Sequence, residues 1–111
     1  MIEIEVTTDP RGIGVVVPRG RLNMVSAGRL REALGELATA GTHRIVVDLA
    51  ETTFLDSSGL GALIAGLKSA RQAGGDLRVA RPTREVMTVF ELTNLDKVLR
   101  PRADPETAFD D

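Results

Sequence analysis

The sequence predicts an α/β domain: a mixed sheet of four to five strands, opened by an N-terminal hairpin, with helices packed against it. Three observations lead there. Two strand-like segments stand first, separated only by Asp9-Pro10-Arg11-Gly12. Apolar periodicity then alternates between helical and strand character along most of the chain. Gly41 and the Gly74-Gly75 pair fall where a helical pattern gives way to a strand, as glycine does at helix ends.

Each element has its own signature. In "IEIEVTT" (2–8), Ile2, Ile4 and Val6 alternate with polar residues, the period of a half-buried strand. Asp9-Pro10-Arg11-Gly12 is a turn, and "IGVVVPRGRL" is a second strand antiparallel to the first. Ser26 is the expected N-cap of a helix whose stripe is Leu30, Ala33, Leu34, Leu37 and Ala38, closed by Gly41. "HRIVVDL" is a strand whose continuous Ile45-Val46-Val47 run implies cover on both faces. A second helix runs from Asp56-Ser57-Ser58 to about Ala73, with Leu60, Leu63, Ile64 and Leu67 facing inward. "DLRVAR" supplies the next strand. Pro82 opens a third helix to about Leu92, with Val86, Val89 and Phe90 on its core side. Val98-Leu99 reads as a final edge strand. The domain is expected to span 1–102, with residues 103–111 as a frayed acidic tail.

Composition narrows the function classes. The chain has 111 residues, 42% of them hydrophobic, and its aromatic residues are three Phe. Its core must therefore be largely aliphatic. Sixteen acidic residues nearly balance 14 Lys and Arg, so the basic footprint of a nucleic-acid binder is missing. No cysteine is present, which excludes disulfides and thiolate metal sites and fits a reducing compartment. No apolar run approaches the ~20 residues of a membrane span, and Met1 leads directly into strand pattern rather than a signal peptide. The expectation is a cytoplasmic domain without membrane insertion, monomeric or weakly dimeric.

Catalytic groupings are also missing. His43 is the one histidine, with no second His to share a metal. The serine motif is D-S-S-G rather than G-x-S-x-G, and no phosphate-binding G-x-x-x-x-G-K-[ST] loop occurs. The glycines of "GLGALIAG" lack dinucleotide spacing. The sequence therefore reads as a non-enzyme without cofactor or metal.

What stands out is "FLDSSGLG", Phe54 to Gly61. Asp56, Ser57 and Ser58 sit at a helix start, where any of them can accept from the unpartnered first N–H groups. Two serines exceed what one cap needs. Gly59 and Gly61 in the first turn each cost about 0.5–1 kcal/mol relative to Ala, so a bare backbone must serve some purpose; close approach by another protein is one. Gly59, Ala62 and Gly66 form a small-residue ridge suited either to tight packing on the sheet or to docking. A phosphate on a hydroxyl here would add charge of about −1.5 to −2. The domain could tolerate that charge, whereas a close-fitting partner could not.

These residues carry a family resemblance. Asp56-Ser57-Ser58-Gly59-Leu60-Gly61 after Phe54-Leu55 resembles the signature of STAS domains of the bacterial anti-sigma factor antagonist type. "RIVVDLAETTFLDSSGLGALIAGLKSARQAGGDLRVA", "GRLNMVSAGRLREAL" and "VMTVFELTNLDKVL" extend it across most of residues 1–100. The resemblance implies a partner-switching regulator of transcription. Its unmodified form would bind an anti-sigma factor serine kinase and release the sigma factor. The kinase, using its own ATP, would phosphorylate Ser57, and a phosphatase acting on phospho-Ser57 would reverse the block. Asp56 would orient the turn, Ser58 would assist, and Gly59, Leu60 and Gly61 would face the partner.

Two departures from the family pattern follow Gly20. Arg21-Leu22-Asn23 stands where an acidic residue, an apolar residue and Asp are common. The resemblance places Arg21, Asn23 and the neighbouring Met24 beside the phosphoserine, giving that edge a more positive character. Asn94 replaces a common Gly and tolerates the left-handed conformation. The alternative reading is a STAS adaptor subunit of a lipid transporter or other regulatory complex, in which Ser57 supports an interface without being phosphorylated.

Overall fold

The computed structural model describes residues 2–110. Strands β1 (Glu3–Thr8) and β2 (Gly14–Leu22) form the expected antiparallel hairpin. Gly12, at φ +82°, closes the turn by donating to the Asp9 carbonyl at 2.9 Å. The Asp9 carboxylate accepts from Arg11 N and Ile13 N, so the turn satisfies its own backbone.

Helix α1 (Ala27–Thr39) follows, then β3 (Arg44–Asp48), β4 (Thr52–Leu55), α2 (Ser57–Gln72) and β5 (Asp76–Ala80). Helices α3 (Arg84–Leu92) and α4 (Asp96–Leu99) come next, with a single turn of 3-10 helix at Pro105–Thr107. The five-stranded sheet runs β1-β2-β3-β5, with β4 paired to β2. Strand β2 is the hub. One edge carries β1; the other pairs in parallel first with β3 at Gly14–Val16 and then with β4 at Gly20–Leu22. A register shift at Gly20/Arg21 marks the transfer from β3 to β4, the strand-bending effect of a bulge.

The aliphatic core lies on one sheet face. Val16, Leu22, Ile45, Val47, Leu77 and Val79 meet Leu30 and Leu34 of α1, Leu63 and Leu67 of α2, and Val86 and Phe90 of α3. Side chains alternate across a strand, so Ile13, Val46 and Ala80 face the other way. Ala108 and Phe109 cover them.

That cover corrects the expectation of a frayed tail. Arg102 bridges to Ala80 in parallel, and Ala108 is fully buried. Arg78 Nη1 donates to the Ala108 carbonyl at 2.9 Å, and its guanidinium stands 4.6 Å from the Phe109 ring centre. Arg11 Nη2 donates to the Glu106 carbonyl at 2.7 Å, tying the segment to the hairpin. The two-sided cover implied by Ile45-Val46-Val47 is thus supplied in part by the segment expected to hang free.

Three element boundaries also differ. The fifth strand is β4, between the "HRIVVDL" strand and the helix at Asp56, where no element is expected from the sequence, and Val98-Leu99 belongs to α4. Leu95, Val98 and Leu99 have helical spacing, and all three pack on the core. Asn94 (φ +59°) separates α3 from α4 in the left-handed conformation expected of it. Helix α3 begins at Arg84 with the Thr83 hydroxyl accepting from Val86 N, so Pro82 precedes the cap.

Candidate functional site

The ends of β2 and β4 build the site. Leu22 and Leu55 are paired and buried, and Asp56 N donates to the Leu22 carbonyl at 3.2 Å. This bond fixes where the chain turns into α2. Asp56 is extended, and its Oδ1 accepts from Ser58 N at 2.9 Å and Gly59 N at 3.1 Å. Of the three candidate caps, Asp56 fills the role, and its carboxylate takes two donors of the first turn.

Ser57 is therefore released from capping. It is the first residue of α2 and is exposed, and among the described residues its hydroxyl makes no hydrogen bond. Ser58 is half-buried one position further on. Leu60 is half-buried and packs against the core.

The two glycines have different jobs. A Cβ on Gly59 would lie 2.6 Å from Leu55 Cδ1 and 2.7 Å from the Leu22 carbonyl oxygen. The clearance expected for a partner at Gly59 instead serves the chain's own strand ends. Gly66 likewise admits Leu34 of α1 and Leu77 of β5. The Gly59/Ala62/Gly66 ridge is internal packing, with all three residues buried. Gly61 is different: a Cβ there would meet only Arg31 Nη2, at 3.9 Å.

The loop after β2 completes the same end of the sheet. Asn23 Oδ1 accepts from Val25 N and Ser26 N at 3.0 and 3.2 Å, so Asn23 shapes the turn. Ser26 is buried. Its hydroxyl donates to the Arg21 carbonyl and accepts from Asn23 N, and it makes no side-chain cap to α1, contrary to the sequence expectation. The Arg21 guanidinium stacks over Phe54 at 4.2 Å. Met24 and Val25 are 80% and 88% exposed. The chain thus brings Arg21, Asn23 and Met24 to the strand ends from which Asp56, Ser57 and α2 start. Val25, and a site role for Phe54 beyond its place in the motif, are not among the sequence expectations. Two consecutive apolar residues in a loop, Met24-Val25, were the available signal for the first; "TTFL" has no alternation to mark the second.

The fold has counterparts among known proteins. A family model described as the STAS domain matches residues 3–108. The chain belongs to the STAS domain family and, within it, to the bacterial anti-sigma factor antagonists. The anti-sigma-B factor antagonist of Staphylococcus aureus (strain NCTC 8325 / PS 47) is 30% identical over 98 residues, covering 88% of this chain and 90% of the relative. An anti-sigma factor antagonist from Mycobacterium paratuberculosis has a similar structure, with a TM-score of 0.87 and 29% identity over 100% of this chain and 96% of that one. The Bacillus cell fate determinant SpoIIAA in its phosphorylated form matches with a TM-score of 0.76 and 20% identity, covering 97% of each chain; it supports the fold alone. No helix among the described residues is long and apolar enough to cross a membrane.

Proposed function

We propose that the unphosphorylated domain binds an anti-sigma factor serine kinase in the cytoplasm, thereby freeing a sigma factor, and that phosphorylation at Ser57 switches this binding off. The observation that carries the proposal is the division of labour at the start of α2. Asp56 alone caps the helix, leaving the exposed Ser57 hydroxyl without a structural task. A phosphate there would disturb no contact of the fold. It would place charge beside Met24, Val25 and the Arg21–Phe54 stack, the apolar surface a partner would cover. The family's anti-sigma factor antagonists support the reading by descent. A phosphatase acting on phospho-Ser57 would restore the binding form.

The test is incubation with the cognate kinase and ATP, read by mass spectrometry. One phosphate should appear on the wild type and none on Ser57→Ala. Equal labelling of both proteins would overturn the assignment. Ser57→Asp should weaken kinase binding at least tenfold while the fold persists; wild-type affinity would refute charge blocking. A wild type that is never labelled but co-purifies with a transporter would support the adaptor reading.

A further inference from the structure

Arg31 is an exposed residue of α1. Three and four positions away on its own helix stand Ala27, Gly28, Leu34 and Gly35. None is charged, so the usual intrahelical partners of an arginine are missing. Among the described residues, its guanidinium has no ion pair or hydrogen bond. Its position is nevertheless defined. Leu34, one turn further along α1, fits the space left by Gly66 of α2, which brings the two helices close. Nη2 of Arg31 then lies 3.9 Å from where a Cβ would stand on Gly61.

Gly61 is four residues after Ser57 and three after Ser58. On an α-helix those two positions flank Gly61 by about 40° and 60° around the axis, with Cβ positions roughly 5–6 Å away. A phosphate on Ser57 would project from the same turn over which the Arg31 guanidinium lies. Two of the N-terminal donors that would otherwise attract an anion, Ser58 N and Gly59 N, are already taken by the Asp56 carboxylate. A phosphate on Ser57 would therefore stand next in the chain to the Asp56 carboxylate and one helical turn from Gly61, beside which Arg31 Nη2 lies.

We infer that Arg31 is the intramolecular counter-charge for a phosphate on Ser57, drawing it toward the α1 side of the helix pair. The inference rests on the proposed role of Ser57 as phosphoacceptor. A Cβ on Gly61 would only touch the arginine in ordinary contact, at 3.9 Å, so the guanidinium lies against open α2 surface there, and α1 becomes part of the surface altered by phosphorylation.

Phosphoserine can be installed at position 57 by genetic-code expansion, without any kinase, and its phosphate titrated by phosphorus NMR. Its second pKa should be lower with Arg31 present than in Arg31→Met by about half a unit, the size expected of one nearby exposed charge. Arg31→Lys should restore part of the shift, and ~1 M salt should abolish most of the difference. Identical titration of phosphoserine in wild-type and Arg31→Met backgrounds would overturn the inference. Failure of the Ser57 assignment would appear separately, in the kinase labelling.

Discussion

Ser26 and Ser57 each stand at the entrance to a helix that follows a strand of the same sheet, but their surroundings differ. Ser26 is buried, with its hydroxyl bonded to the Arg21 carbonyl and to Asn23 N. Ser57 is exposed, and its neighbour Asp56 supplies the cap. The first serine is a structural part of the loop. The second is held in place by the fold without being needed by it. A residue that is to be modified has to be of this second kind, since modifying Ser26 would break the turn that presents Met24 and Val25.

Substitutions can test this contrast. The largest effect is expected at the strand ends that both serines depend on. Gly59→Val would drive a branched side chain into Leu55 and the Leu22 carbonyl, and should cost about 3 kcal/mol or more in denaturant unfolding. A near-neutral result would mean that the strand ends yield easily. Ser26→Ala leaves the part-buried Arg21 carbonyl and Asn23 N without that partner, with an expected loss of about 1–2 kcal/mol. Asp56→Ala removes the cap of α2 and should cost about 1 kcal/mol. A cost below a few tenths would show that Ser57 or Ser58 takes over the capping, which would end the claim that Ser57 is idle. Ser57→Ala should change stability by no more than about 0.5 kcal/mol while abolishing phosphate incorporation. If Ser57→Ala proved as damaging as Ser26→Ala, the distinction between the two serines would collapse.

Sequence pattern was most legible where residues repeat with a clear period. Leu30 and Leu34, Leu63 and Leu67, and Val86 and Phe90 were placed correctly on inward helix faces. It was less informative where the cause is tertiary. Thr52–Leu55 contains only two apolar residues, and the buried Thr52 hydroxyl donates to the Pro18 carbonyl, a contact no local pattern announces. Gly59 shows the same limit. Its first-turn position raised the right question, but the answer is the Leu22 carbonyl, 37 positions earlier in the chain. Ser26 has the sequence context of a cap, and the loop takes its hydroxyl instead. Of the site, the Asp56–Gly61 segment was visible from the motif, whereas the Phe54–Arg21 stack and Arg31 over Gly61 depend on how elements are brought together.

The segment that covers Ile13, Val46 and Ala80 has a consequence in time. Ala108 and Phe109 are synthesised long after the strands they cover, so a growing chain can gather its helices before its outer sheet face has any shelter. We expect nascent chains that have emerged from the ribosome only as far as residue 107 to protect α1 and α2 from protease while leaving the hairpin open to cleavage, and chains that have emerged past Phe109 to protect both. Equal cleavage of the hairpin in the two cases would show that maturation does not wait for Ala108 and Phe109. If it does wait, the outer face is the part of the newborn domain that a chaperone would have reason to hold.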